Sequence, residues 1–142
     1  MKTRFLIIAV ALLFAACGGG NKNGQEGLPE RSNVTEILYF HGAKSCASCV
    51  AMERATEELL KEVYAKEVEA VKLIYTNADL VDDEALAEKY GVVWASLLVI
   101  DYDNEGNESV TDQSDNGYLY GISDPERLKA ELRTTIDAYL NN

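Results

Sequence analysis

The chain has 142 residues, 47% hydrophobic and 26% charged, the composition of one globular domain and not of a disordered segment. Acids outnumber bases 24 to 13, a net charge of -11, and such a field repels phosphate backbones, so no nucleic acid is expected as a partner. Three cysteines are too few for a disulfide-stapled mini-protein, and the chain is long enough to bury a core without staples.

The first residues do not read as part of a fold. Lys2 and Arg4 precede an apolar run at 5–14 that is too short to span a bilayer and fits the core of a signal peptide. Ala15 and Ala16 suit a peptidase site, and Cys17 with three glycines behind it resembles the lipobox of bacterial lipoproteins. Phe14 stands where leucine is usual. The resemblance implies a signal peptide at 1–16, lipid attachment at Cys17, and anchoring on the periplasmic face of a membrane in the bacterial cell envelope. The plain alternative is a secreted signal peptide with an incidental cysteine. Residues 17–32, rich in Gly, Asn, Gln and Glu, read as a flexible tether, which leaves 33–142 as the domain.

Residues 34–40 are β-rich and mostly apolar, as in a buried strand. A short loop with His41, Gly42 and Lys44 follows. From 46 or 47 to about 65 there is no Gly or Pro. Val50, Ala51, Ala55, Leu59, Leu60 and Val63 recur there at helical spacing, with Ser45 as N-cap. Residues 68–75 read as a second strand. Residues 82–90 read as a short helix, capped by Asp82 or Asp83 and stopped by Gly91. Residues 96–102 read as a third strand, and 103–107 as a polar turn. A partner strand is expected within 109–121, most clearly at Tyr118, Leu119 and Tyr120. Asp124 and Pro125 start a last helix that runs to about Leu140 and buries Leu128, Leu132, Ile136 and Leu140. The order β-α-β-α-β-β-α predicts an α/β fold with a central mixed sheet flanked by helices.

Cys46 and Cys49, two residues apart, sit where the first strand hands over to a helix. First-turn amides and the helix dipole favour an anion on the first sulfur, and Lys44 adds positive charge. Thiol–disulfide exchange needs an exposed, partly ionised thiol and a second thiol in reach to resolve the mixed disulfide. A static structural disulfide is the competing reading.

The run from Ile37 through His41 to Cys46-Ala47-Ser48-Cys49, with this order of elements, resembles the thioredoxin superfamily. It is similar in particular to secreted and lipid-anchored bacterial thioredoxin-like proteins. The resemblance covers roughly 34–140 and implies a three-layer sandwich, Cys46 as nucleophile and Cys49 as resolving cysteine. It also implies protein or small-thiol disulfides as substrates and an electron-donating or electron-accepting redox protein as partner. No dissociable cofactor is implied.

Three departures stand out. No proline precedes the third strand, where Ala95 or Ser96 takes the place of the family's cis-proline. A non-proline cis bond costs about 3 kcal/mol, so this loop is expected to be trans. Tyr39 stands near the place of a buried acid, and His41-Gly42 replaces the usual aromatic. His41, the one histidine of the chain, is a candidate proton relay or thiolate stabiliser, or else a polar filler at the strand edge. By resemblance Trp94, Ala95 and Ser96 form the loop that shapes the substrate groove. The alternative for Trp94 is core packing. The second functional reading is a non-enzymatic thioredoxin-fold binding module with a structural disulfide.

Zinc needs four ligands, and with Cys17 lipidated only Cys46, Cys49 and His41 remain as soft ligands, so no metal is expected. The acidic stretch 101–112 matches the oxygen spacing of an EF-hand calcium loop, but it follows a strand and ends on Asp112. An acidic hairpin turn is the preferred reading.

Overall fold

The structure, a computed structural model, describes residues 30–44 and 46–142. The expected leader, Cys17, the tether up to residue 29 and Ser45 lie outside the described residues.

The sheet is built around β1 (Val34–His41), in which every residue but His41 is buried. A strand covered on both faces needs a nearly continuous apolar run, and 34–40 supplies one. β2 (Leu73–Asp79) lies parallel to it on one side. β3 (Ser96–Tyr102) lies antiparallel on the other, and β4 (Glu108–Asp112) pairs antiparallel with β3. The strand order is β2-β1-β3-β4, a mixed sheet.

α1 (Ala47–Val63) and α5 (Pro125–Leu140) cover one face, where Met52, Leu59, Leu128, Leu132 and Ile136 pack on Ile37, Tyr39, Leu97 and Val99. α3 (Glu84–Tyr90) covers the other, with Ala87 against Leu38, Phe40 and Ile100. These are the three layers expected. The last helix begins as read, with Asp124 accepting from the Arg127 amide and Pro125 in the first turn. Gly91 ends α3 in the left-handed region at φ 65°, where a residue without Cβ is unstrained.

Four expectations need correction. The N-cap of α1 is Cys46, not Ser45. The buried stripe of α1 runs through Cys49, Met52, Ala55, Thr56, Leu59 and Leu60, while Val50 and Val63 are exposed. The stripe is set by what the first turn must bring to β1, not by the β-branched residues.

The second strand starts five residues later than expected. Val68 and Glu69 belong to a short helix, α2 (Ala65–Glu69), and Val71 turns the chain at φ 56°. Parallel pairing with β1 then matches Thr35 to Leu73 and His41 to Asp79, so polar Asn77 and Asp79 are strand residues.

Tyr118, Leu119 and Tyr120 are not a strand. They lie in α4 (Ser114–Tyr120), and the partner of β3 is the polar 108–112 segment. An edge strand with mostly exposed side chains has no core face to announce it in the sequence.

Candidate functional site

Cys46 and Cys49 are joined in a disulfide across the first turn of α1, with Cα atoms 5.0 Å apart. Cys46 is exposed and Cys49 is buried. The Cys49 amide donates to Cys46 Sγ at 3.1 Å. The helix therefore already directs one of its free N–H groups at the accessible sulfur, where it would stabilise a thiolate.

β1 supports this turn from below. Tyr39, 1% exposed, donates its hydroxyl to the Cys49 carbonyl at 3.0 Å. Burial, with smaller contributions from Glu53 and Tyr118, pushes the Tyr39 phenol up to about 12, so it remains a neutral donor through the ordinary pH range. The sequence reading placed Tyr39 near this spot without assigning the contact.

His41 ends β1 on the same side of the strand as Tyr39, with ring centroids 6.4 Å apart. Its Nδ1 lies 3.5 Å from Asp79 Oδ2 on β2. Lys44 is exposed in the loop before Cys46.

The 94–96 loop is built differently from a buried aromatic turn. Trp94 is 63% exposed, so core packing is not its role, while Ala95 and Ser96 are buried. Ser96 Oγ donates to the Trp94 carbonyl at 3.0 Å, and the Tyr118 hydroxyl donates to the Ala95 carbonyl at 2.7 Å. Among the described residues no peptide bond is cis.

α4 joins this loop to the cysteine helix. While Tyr118 holds Ala95, Gly117 and Gly121 lie against Met52 and the backbone of Ser48 and Met52 in α1. The sequence does not announce this bridge, because 118–120 reads as a strand.

Two other features lie apart from the cysteines. The acidic stretch is a hairpin turn between β3 and β4. The Asp103 carboxylate accepts from the Glu105 amide and from the amide and side chain of Asn107. Glu108 is ion-paired with Lys89. A cavity of about 400 Å³ opens at the start of β1 and the end of β3, lined in part by Asn33, Val71, Asp101 and Tyr139.

No protein-family profile matches the chain, and no curated protein matches it. Solved structures do resemble it. It is 16% identical to a thioredoxin from Thermus thermophilus, covering 72% of this chain and 74% of that one at a TM-score of 0.44. It is 14% identical to the Trx4 domain of ERdj5, covering 75% and 82% at 0.48. It is 24% identical to an uncharacterized thioredoxin-like protein from Clostridium perfringens, covering 63% and 69% at 0.40. At such identities and scores, the strand order and the position of the cysteines remain the grounds for the fold. That fold is thioredoxin-like, with a disulfide-forming Cys-x-x-Cys pair at the head of α1, and it supports thiol–disulfide chemistry in general.

Proposed function

We propose that the protein is a thiol–disulfide oxidoreductase of the bacterial cell envelope, held at the periplasmic face of a membrane by lipid on Cys17. The observation that carries the redox reading is the asymmetry of the pair: Cys46 exposed and receiving the Cys49 amide, Cys49 buried behind it. The accessible sulfur is the one to attack or be attacked, and the buried one resolves.

In the reducing direction the Cys46 thiolate attacks a substrate disulfide. A Cys46–substrate bond forms, the substrate S–S bond breaks, and the departing thiolate takes a proton. Cys49 then loses its proton and its thiolate attacks Cys46 Sγ. This closes the disulfide and releases the second substrate thiol. Two electrons and two protons pass to the substrate, and a redox partner protein restores the dithiol. The oxidising direction is the reverse. Trp94, exposed beside the buried Ala95 and Ser96, supplies an apolar wall for a protein or small-thiol disulfide. His41 and Lys44 serve the thiolate and its proton.

The deciding experiment is the equilibrium reduction potential of the Cys46–Cys49 pair. A value between roughly -270 and -120 mV is expected of an exchange enzyme. A value below about -300 mV would indicate a structural bond and leave the binding module as the function. That second reading draws on one observation, that the 94–96 loop holds no proline and no cis peptide bond where the resemblance implies a cis-proline.

A further inference from the structure

The parallel register of β1 and β2 sets His41 beside Asp79. Side chains alternate along a strand, so His41 shares a face with Ile37 and Tyr39, and Asp79 shares one with Leu73 and Tyr75. Those four belong to the core cluster under α1 or pack against it. Two residues back along each strand, Tyr39 reaches the Cys49 carbonyl, and Asn77 donates to Glu53 of α1 at 2.6 Å. The His41–Asp79 pair therefore stands one step further on, at the end of the sheet where α1 begins and Cys46 is exposed.

Asp79 is itself anchored. Its Oδ1 accepts from the amides of Val81 at 2.8 Å and Asp82 at 3.2 Å, and its own amide donates to Asp83 Oδ2 at 2.9 Å. Those two amides, and His41 after them, hold the carboxyl below the usual aspartate range. A carboxylate fixed by its own turn leaves Oδ2 for the imidazole, 3.5 Å away. The titratable groups around this end of the sheet are Asp79 with Asp82 and Asp83 behind it, Tyr39 on β1, Lys44 in the loop, Glu53 on α1 and the cysteine pair.

We propose that Asp79 is a positioning residue for the exchange reaction: it accepts the His41 Nδ1–H, and so selects the tautomer whose Nε2 carries the lone pair that shuttles the cysteine proton. The proposal rests on the exchange reading above. In the reducing direction, Nε2 takes the proton that Cys46 loses as it becomes a thiolate. The Cys46–substrate bond then forms, the substrate disulfide breaks, and the departing substrate thiolate takes that same proton back from Nε2. No charge or electron is left over beyond the exchange itself. The carboxylate stays ionised throughout and acts only through the ring.

The test begins on the unaltered full chain, whose single histidine gives one set of imidazole signals. Nitrogen-15 NMR of reduced protein, with the ring neutral, is expected to show the Nδ1–H tautomer. Predominance of Nε2–H would overturn the proposal, and this reading depends on no variant folding. Asp79→Asn keeps an oxygen for the Val81 and Asp82 amides but carries no charge. It is expected to slow alkylation of reduced Cys46 by iodoacetamide at pH 7 about threefold. In a His41→Asn background the same change is expected to do nothing. An equal effect in both backgrounds would mean that Asp79 acts on the turn and not through His41, and would also overturn the proposal. The reduction potential separates the two failures. A potential below about -300 mV overturns the exchange reading and the proton's use with it, whereas a wrong tautomer at an exchange-type potential overturns the role of Asp79 alone.

Discussion

At the residue scale, Tyr39 shows how a phenol can brace the disulfide turn and keep its proton to high pH. Its hydroxyl fastens the Cys49 carbonyl to the centre of the sheet. Tyr39→Phe removes that buried bond and is expected to cost about 1 kcal/mol, measured as the urea midpoint of the oxidised protein. The alkaline limb gives the same contact a second signature. The unfolded phenol ionises near 10.0, whereas the folded one holds its proton to about 12. A raised acid pKa means that stability is fully present below 10 and is lost as pH rises through 12, because the unfolded state ionises first. Stability is therefore expected to fall across that window, and to fall less steeply in Tyr39→Phe. Tyr64, Tyr75, Tyr102 and Tyr118 are raised by burial in the same way and add to the slope. Little of this was legible in the residues alone. Cys46 and Cys49 could be picked out by spacing and by the strand before them. Asp79 could not, because an aspartate between a strand and a helix is an ordinary cap until the register shows which histidine it faces.

At the scale of elements, the close approach of α4 to α1 ties the 94–96 loop to the cysteine helix. A Cβ at Gly121 would lie 2.6 Å from the Gly117 carbonyl and 3.3 Å from the Met52 amide, both backbone atoms that cannot turn aside. A Cβ at Gly117 would meet the Met52 side chain, whose end can move. Gly121→Ala is therefore expected to destabilise the protein by about 1–3 kcal/mol, and Gly117→Ala by less, in paired denaturant titrations. β3, α3 and α5 were readable because their patterns are strong: an unbroken apolar run, a glycine stop, and an Asp-Pro start with leucines four apart. β2 and β4 were misread for a shared reason. Both lie at the edges of the sheet, where pairing with a neighbour and not burial of an apolar face makes the strand. The valines at 68 and 71 looked like a strand but lie on a short helix and its exit, both exposed.

At the scale of the whole molecule, charge and the proposed anchor act together. The chain carries 24 acids against 13 bases, and the anionic surface of a membrane repels such a domain. Membrane association then depends on the lipid and not on the protein surface. Cys17→Ala is expected to move the protein from the membrane fraction to the soluble fraction at any salt concentration. Persistence at the membrane, or release by salt alone, would contradict the anchor. Three layers, the cysteine pair and the ends of the strongly patterned elements can be read from the residues alone, because apolar periodicity and helix caps act over a few neighbouring residues. Which sulfur is exposed, how Tyr39 and Tyr118 hold the two sides of the site, and where His41 meets Asp79 emerge in the folded chain. Those contacts join residues far apart in the chain, and strand register, which sets them, is settled by how the whole sheet packs.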